Sequence, residues 1–369
     1  MEFKSIKNFQ FHCSRKHAGV LPAQACNALH WTAVFCGLNM THYHLYAIGN
    51  ALVDSEYDVS DDRLAQMGVS KRHMTLIDET QRSALLAQVH DLKPRRTGGG
   101  SAGNTVVALS QLGGRSFYSC RVADDELGAF YRDDLQAQGV ASNLQHAQLR
   151  PGQTGTCLVL VTPDAERTMC TYLGATAALD PSALHPQDIA RSQIYYMEGY
   201  LASSPSGLQA ALQGLDVARQ NGVRTALTLS DVSMIRFCRE GLQAMLGDGL
   251  DLLFANEEEA QTWCGSQDLP TVLRGLAPLA RTICLTRGPK GALLIEGERL
   301  TEVAGVPAKA IDTNGAGDMF AGAFLYGVTH GMPAAQAATL ANRAAAAVVA
   351  QHGCRLTRER LQGLLKALA

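Results

Sequence analysis

From Met40 onward, short apolar runs with strand character alternate with stretches of helical periodicity, and this alternation is the strongest constraint on the fold. Strand patterns fall at Leu45–Ile48, Ser116–Arg121, Cys157–Thr162, Thr168–Leu173, Ile194–Met197, Thr225–Thr228, Leu252–Ala255, Thr282–Thr286 and Ala292–Ile295. Helical patterns lie between them, at Gly103–Leu112, Gly128–Gln138, Ser206–Asn221, Glu257–Cys264, Ala316–His330 and Pro333–Gln351. Such a rhythm predicts an α/β fold: a doubly wound, mostly parallel sheet with crossover helices on its faces. Gly331 and Gly353 are placed to cap the last two helices in the left-handed conformation. One stretch departs from the rhythm. Two β segments around Pro163–Glu166 read as a hairpin, and with a short β stretch at Asp54–Val59 they predict a small β lid drawn from residues 54–59 and 157–173.

Residues 1–39 read differently. Lys4, Lys7, Arg15 and Lys16 are scattered, and the apolar patch Trp31–Cys36 comes too late for a secretory signal. We expect a disordered extension there and a single domain over 40–369. The ten cysteines show no Cys-x-x-Cys pair and no zinc-ligand spacing. Cys120, Cys157, Cys170 and Cys284 lie in apolar runs, as in a chain kept reduced, and the expected location is the cytoplasm. A net charge of −2 gives no electrostatic reason to expect nucleic acid. No apolar run approaches the ~18 residues that a membrane helix needs.

Two glycine-rich segments carry the chemistry. In Asn314-Gly315-Ala316-Gly317-Asp318, two glycines open an apolar, small-residue helix. Bare amides at a helix N-terminus form an anion nest, and a carboxylate beside it can take a proton from an attacking hydroxyl. The same residues also suit a plain helix start capped by Asp312 or Asp318. In Gly98-Gly99-Gly100-Ser101-Ala102-Gly103-Asn104 the spacing matches a dinucleotide fingerprint, but Asp91–Thr97 does not read as the buried strand which that motif requires.

With these segments in view, the chain resembles the PfkB/ribokinase family of carbohydrate and nucleoside kinases. Asp312-Thr313-Asn314-Gly315-Ala316-Gly317-Asp318 matches its D-T-x-G-A-G-D signature at all six specified positions. The resemblance implies Asp318 as catalytic base, with Gly315, Ala316 and Gly317 as the anion hole. Gly99, Gly100 and Asn104 match the family's sugar-binding Gly-Gly and Asn. Asp54, in Gly49-Asn50-Ala51-Leu52-Val53-Asp54, matches the carboxylate that takes vicinal ribose hydroxyls, with Asn50 nearby. Asn256 and Glu259 match an N-x-x-E element that organises Mg2+ and phosphate, Glu259 through water; they also read as an ordinary acid-rich helix start. Thr286, Gly288 and Gly291 match the T-x-G-x-x-G nucleotide loop, and Asn342 falls where the family lines the adenine pocket. Arg167, on the lid hairpin, matches an arginine that reaches the transferring phosphates.

The implied reaction is transfer of the γ-phosphoryl group of ATP to a small hydroxyl-bearing substrate, with Mg2+ and an optional monovalent cation. Asn50-Ala51-Leu52-Val53-Asp54 and Thr154-Gly155-Thr156-Cys157 lean toward the nucleoside kinases, so the expected acceptor is a purine nucleoside, adenosine first, at its 5′-hydroxyl. Leu52, Cys157 and Tyr200 are the base-pocket candidates. A sugar kinase of the fructose or ribose class is the alternative, and a nucleoside-binding protein or an oxidoreductase are readings of a different class. A monomer and a homodimer fit equally.

Overall fold

The computed structural model describes residues 42–71, 74–145, 147–164 and 166–368. The expected extension 1–39, and Ala165 within the expected hairpin turn, lie outside the described residues. Among the described residues fourteen strands follow in chain order: β1 Tyr43–Ile48, β2 Leu52–Asp58, β3 Met74–Leu76, β4 Arg95–Gly99, β5 Ser116–Ser119, β6 Ala141–Ser142, β7 Thr156–Val161, β8 Arg167–Tyr172, β9 Ser192–Glu198, β10 Arg224–Thr228, β11 Leu250–Asn256, β12 Ala280–Thr286, β13 Ala292–Glu296 and β14 Arg299–Val303. They form a nine-stranded sheet, β14-β13-β12-β11-β10-β9-β1-β5-β6, and a five-stranded sheet, β3-β8-β7-β2-β4.

The large sheet is parallel from β12 through β6, and only β13 and β14 join it antiparallel. Its strands read as continuous apolar runs because both faces are covered. On β1, Leu45 and Ala47 enter the core under helices Ser101–Gln111, Ala316–Thr329 and Ala334–Val349, while Tyr46 and Ile48 enter the core under helix Pro205–Gln220. Small residues let the helices close up. A Cβ on Gly322 would come within 2.6 Å of the Thr105 carbonyl, so helices Ala316–Thr329 and Ser101–Gln111 touch backbone to backbone there. Beside that contact, Phe320 and Phe324 stack at 6.2 Å and Phe254 of β11 meets Phe324 edge-on at 5.7 Å.

The small sheet is larger than expected. The hairpin pairs as read, β7 against β8, but β2 spans seven residues and β3 and β4 complete the sheet. Arg95–Gly99 is therefore a strand, although not the buried one of a dinucleotide fold: its first three residues are exposed, and it runs antiparallel to β2 in the lid. Gly331 has φ +81° immediately past the cap of helix Ala316–Thr329. Gly353 also has positive φ but lies four residues past the end of helix Ala334–Val349, in the following turn rather than at its cap.

Candidate active site

The parallel strands of the large sheet deliver their C-terminal ends to one cleft, where open α/β sheets bind ligands. Asn50 follows β1, Glu198 ends β9, Ser230 follows β10, Asn256 ends β11 and Thr286 ends β12; all line a cavity of about 410 Å³. Gly315, Ala316, Gly317 and Asp318 form another wall, and the lid contributes Asp54, Cys157, Met169, Thr171, Met74 and Leu76.

Helix Ala316–Thr329 begins at Gly315, whose φ of +75° places it in the left-handed region, and no side chain caps it. Asp312 and Asp318 thus do not cap this helix. The Asp312 carboxylate instead holds the loop, accepting from the backbone N–H of Asn314 (3.1 Å) and of Gly353 (3.0 Å). Glycine is required at 315 by the molecule itself: a Cβ there would meet Cys354 at 2.5 Å. At Gly317 a Cβ would meet nothing within 4 Å, so that glycine keeps the cleft open rather than the fold closed. In this structure the Ala316 N–H makes a 3.3 Å bond back to the Thr313 carbonyl.

Asp318 sits one turn into the helix. Ser101 Oγ donates to its Oδ1 at 2.6 Å and Asn104 Nδ2 to its Oδ2 at 3.1 Å. Burial pushes its carboxyl upward, opposed by these two bonds and by the positive charge of Arg355. Gly100 approaches the Asn50 carbonyl so closely that a Cβ would lie 2.1 Å from it, and a Cβ on Gly99 would strike the Asp54 carboxylate at 2.4 Å. The Gly-Gly pair therefore lets the segments that carry Asn50, Asp54 and Ser101 to the cleft lie against each other. Asp54 is held up at about 7, chiefly by burial and further by Asp318, with Arg355 and Arg167 opposing.

The cleft face of the lid is set by strand register. Asp54 of β2 pairs with Cys157 of β7, Cys157 with Thr171 of β8, and Thr171 with Leu76 of β3. Residues in register share a face, so one row runs from a carboxylate through a small thiol to an exposed apolar edge. The next row carries Glu56, Val159, Met169 and Met74.

At the other end, Asn256 and Glu259 form a capping box. The Glu259 N–H donates to Asn256 Oδ1 (2.8 Å), the Asn256 N–H to Glu259 Oε2 (3.0 Å), and Asn256 Nδ2 to Glu259 Oε1 (2.6 Å). The helix-start reading holds, and both residues also line the cleft. Glu259 is pushed up to about 7 by burial. Thr286 lines the cleft, whereas Gly288 and Gly291 shape the β12–β13 turn behind it, with φ of +54° and +88°.

Five expected site residues lie outside the cleft wall: Gly99, which backs Asp54, the turn glycines Gly288 and Gly291, and Asn342 and Arg167. Asn342 is buried and donates to the Val303 and Ala304 carbonyls, tying its helix to the chain after β14. Arg167 is gripped by Glu56 (2.6 Å) and Asp312 (2.9 Å), bridging the lid to the loop that carries the glycines. Two residues that the sequence reading did not single out belong to the site. Glu198 is fully buried at the end of β9, accepts from the Asn50 N–H (2.8 Å) and the Ala102 N–H (2.9 Å), and is raised to about 7 by burial. An acid at the C-terminal end of an apolar strand was the available signal. Arg355 bonds Asn104 and Asp134, and nothing in its neighbourhood in sequence marks it. Ser230, with φ +71°, donates its N–H to Thr228 Oγ1 and accepts from Gly199 at the cleft wall, the kind of backbone strain found at ligand sites.

Comparison with known proteins agrees with this geometry. The sequence profile of pfkB family carbohydrate kinases matches residues 73–360. An adenosine kinase of Saccharomyces cerevisiae is 26% identical over 309 residues, covering 78% of this chain and 89% of that protein. The crystal structure of adenosine kinase from Sinorhizobium meliloti superposes with TM-score 0.79 at 33% identity, covering 89% of this chain and 99% of the other. A probable sugar kinase from Rhizobium etli superposes with TM-score 0.80, also at 33% identity, covering 89% and 100%.

Proposed function

The chain belongs to the pfkB family of carbohydrate kinases, phosphotransferases with an alcohol as acceptor, and on that premise we propose that its acceptor is the 5′-hydroxyl of a purine nucleoside, adenosine first, with ATP as donor. The observation that carries the nucleoside reading is the lid row Asp54–Cys157–Thr171–Leu76, which faces Asp318 across the cleft. A carboxylate accepts two O–H donors at once and so suits vicinal ribose hydroxyls. The thiol, Met169, Leu52 and the exposed edge Met74–Leu76 beside it suit a flat apolar base, whereas a free sugar is polar on all sides. Among the described residues the cleft wall has no Lys, Arg or His, which favours an uncharged acceptor over a sugar acid or sugar phosphate.

In this reading Asp318, oriented by Ser101 and Asn104, takes the proton of the 5′-hydroxyl as its oxygen bonds the γ-phosphorus and the bond to the ADP oxygen breaks. The open space at Gly317 and the uncapped amides of 315–317 receive the charge that grows on the transferring group. The donor set fits Mg2+ brought with the nucleotide. Asn256 and Glu259 offer side-chain oxygens that already accept N–H bonds within their capping box, and among the described residues no three acidic, His or Cys side chains form a cage. They would hold a hydrated ion through its waters, and the ion would offset phosphate charge. Arg167 reaches the phosphates only if it releases Asp312. We place the enzyme in the cytoplasm because every described cysteine is a free thiol; no helix among the described residues is long and apolar enough to cross a membrane.

A sugar kinase is the second reading, favoured by Glu198, which adds another carboxylate at the acceptor end. A coupled ADP-release assay over adenosine, inosine, guanosine, ribose and fructose decides between them. We expect turnover with adenosine, and loss of about 10²-fold or more in Asp318→Asn with adenosine binding kept. Preference for fructose or ribose would give the sugar reading precedence, and a near-normal rate in Asp318→Asn would remove Asp318 from the mechanism.

A further inference from the structure

Asn104 holds Asp318 in only one of its two amide orientations. With Nδ2 toward the carboxylate it donates; flipped, its oxygen would oppose Oδ2. Asn104 is buried, and solvent does not settle the choice. Arg355 does: its Nε donates to Asn104 Oδ1 at 3.0 Å, a bond that exists only while Nδ2 faces Asp318. The guanidinium is itself fixed, because Nη1 donates to Asp134 Oδ2 at 2.6 Å from helix Glu126–Ala137. Its Nη2 is buried without a partner beside Gly98. A Cβ at position 98 would lie 2.3 Å from Asp134 Oδ2 and 3.1 Å from Arg355 Nη2, so the glycine ahead of the Gly99-Gly100 pair makes room for this ion pair.

We propose that Arg355 is a positioning residue for phosphoryl transfer: anchored by Asp134, it locks the Asn104 amide and thereby aims the Asp318 carboxylate. This rests on the kinase reading with Asp318 as base. A rigid planar fork is needed, since one group must serve an amide and a carboxylate in fixed directions, which a lysine cannot do. The chain Asp134–Arg355–Asn104–Asp318 spans three helices and the segment after a fourth, and its first two members, Asp134 and Arg355, do not line the cleft. Arg355 also opposes the upward shift of Asp318, as do the Ser101 and Asn104 bonds. The other titratable groups facing Asp318 are Asp54 from β2, Glu198 from β9, Glu259 from helix Glu257–Cys264, Tyr196, Tyr200 and Cys354.

The test is steady-state kinetics with pH profiles on Arg355→Met, Arg355→Lys, Asp134→Asn and Asp318→Asn, each with its melting curve. For Arg355→Met we expect kcat to fall about tenfold to a hundredfold, the cost of misplacing a reacting group, with KM for ATP unchanged. The acid limb of kcat, read at saturating acceptor so that Asp54 is occupied, should move to higher pH, because removing the cation leaves Asp318 protonated further up. Arg355→Lys should not restore the rate, and Asp134→Asn should show a smaller loss of the same kind. If Arg355→Met melts lower yet keeps its kcat per folded molecule and its acid limb, Arg355 is only structural and the proposal is overturned. Should that variant fail to fold, an unchanged kcat and limb in Asp134→Asn overturns it equally. Asp318→Asn separates the two levels: if it stays active the base assignment fails, whereas if it is dead and Arg355→Met is normal only the positioning claim fails.

Discussion

The two sheets solve opposite problems. Strands of the nine-stranded sheet bury apolar side chains on both faces, as with Ile283 and Leu285 of β12 on one side and Cys284 on the other. The five-stranded sheet packs one face on a small cluster, Tyr57, Leu64, Leu85, Leu158 and Leu160, and turns the other toward the cleft. Asp54, Glu56 and Asp58 alternate along β2 with Val53, Ser55 and Tyr57, so one strand serves both faces at a period of two. Glu56 and Asp58 are neutralised by Arg95, and Glu56 also by Arg167, which leaves Asp54 for the ligand. In the proposed reading the base is thus carried by the body built on the large sheet, and recognition of the acceptor's base and hydroxyls by the thin, half-covered layer.

The largest effect should come from breaking the body. Phe324→Ala removes a fully buried ring packed on Phe320 and Phe254, and should cost about 3–5 kcal/mol in denaturant unfolding. Leu158→Ala, behind the lid, should cost less, because it removes a smaller side chain from a smaller cluster. Equal losses would mean that the lid is as integral to stability as the body.

The two glycines of the proposed anion hole sharpen the contrast within one turn of helix. Gly315→Ala should lower stability by about 1–2 kcal/mol from its left-handed backbone alone, with the Cys354 clash added. Gly317→Ala should melt like the parent, since its methyl meets only open cleft, yet lose roughly tenfold or more in kcat by crowding the transferring group. Melting curves and initial rates on the pair check this; a Gly317→Ala enzyme at full rate would move the phosphoryl site elsewhere.

Asp54 couples the lid to pH. Its folded carboxyl is raised to about 7, above the unfolded value of about 4. The folded state therefore holds that proton more tightly, and the stabilisation is full below about pH 4 and lost as pH rises through 7. Asp54→Asn should melt with the parent at pH 4 and about 2 °C above it at pH 8. Its KM for adenosine should rise about tenfold at pH 8, where the parent has a carboxylate to accept both ribose hydroxyls. In the parent, kcat/KM should climb through pH 7 as Asp54 ionises, and that limb should be absent from the variant.

How far the sequence could be read follows the same division. Apart from the two-residue edge strand β6, which was not read, the parallel strands of the large sheet were legible because a strand buried on two faces must be apolar throughout. β3, β4 and β14 were not: Met74-Thr75-Leu76, Arg95–Gly99 and Arg299–Val303 are exposed edge or lid strands whose partners, rather than their composition, make them β. The glycine-rich turns at 98–100 and 315–317 were legible because backbone geometry leaves a local mark. Glu198 left only an acid at the end of an apolar strand, and Arg355 left no mark, meeting Asn104 across 251 positions of chain. Asn342 and Arg167 were named from the family resemblance alone, and what they touch is decided by packing that sequence position does not record.

The smallest effect tests the comparison most directly. Leu76 is 55% exposed on the lid edge yet lines the cleft, an arrangement with no structural benefit unless something covers it. If a base does, Leu76→Ser should leave the melting curve in place, because little packing is lost in the free protein. It should raise KM for adenosine about threefold to tenfold, which is what ~1 kcal/mol of apolar contact is worth. Any residual turnover of ribose should not change, since ribose ends at the Asp54 end of the row and never reaches β3. A variant that lost ribose and adenosine equally would place Leu76 in lid closure rather than in base recognition, and the division between a catalytic body and a discriminating lid would then have to be drawn at Asp54 instead of at the edge.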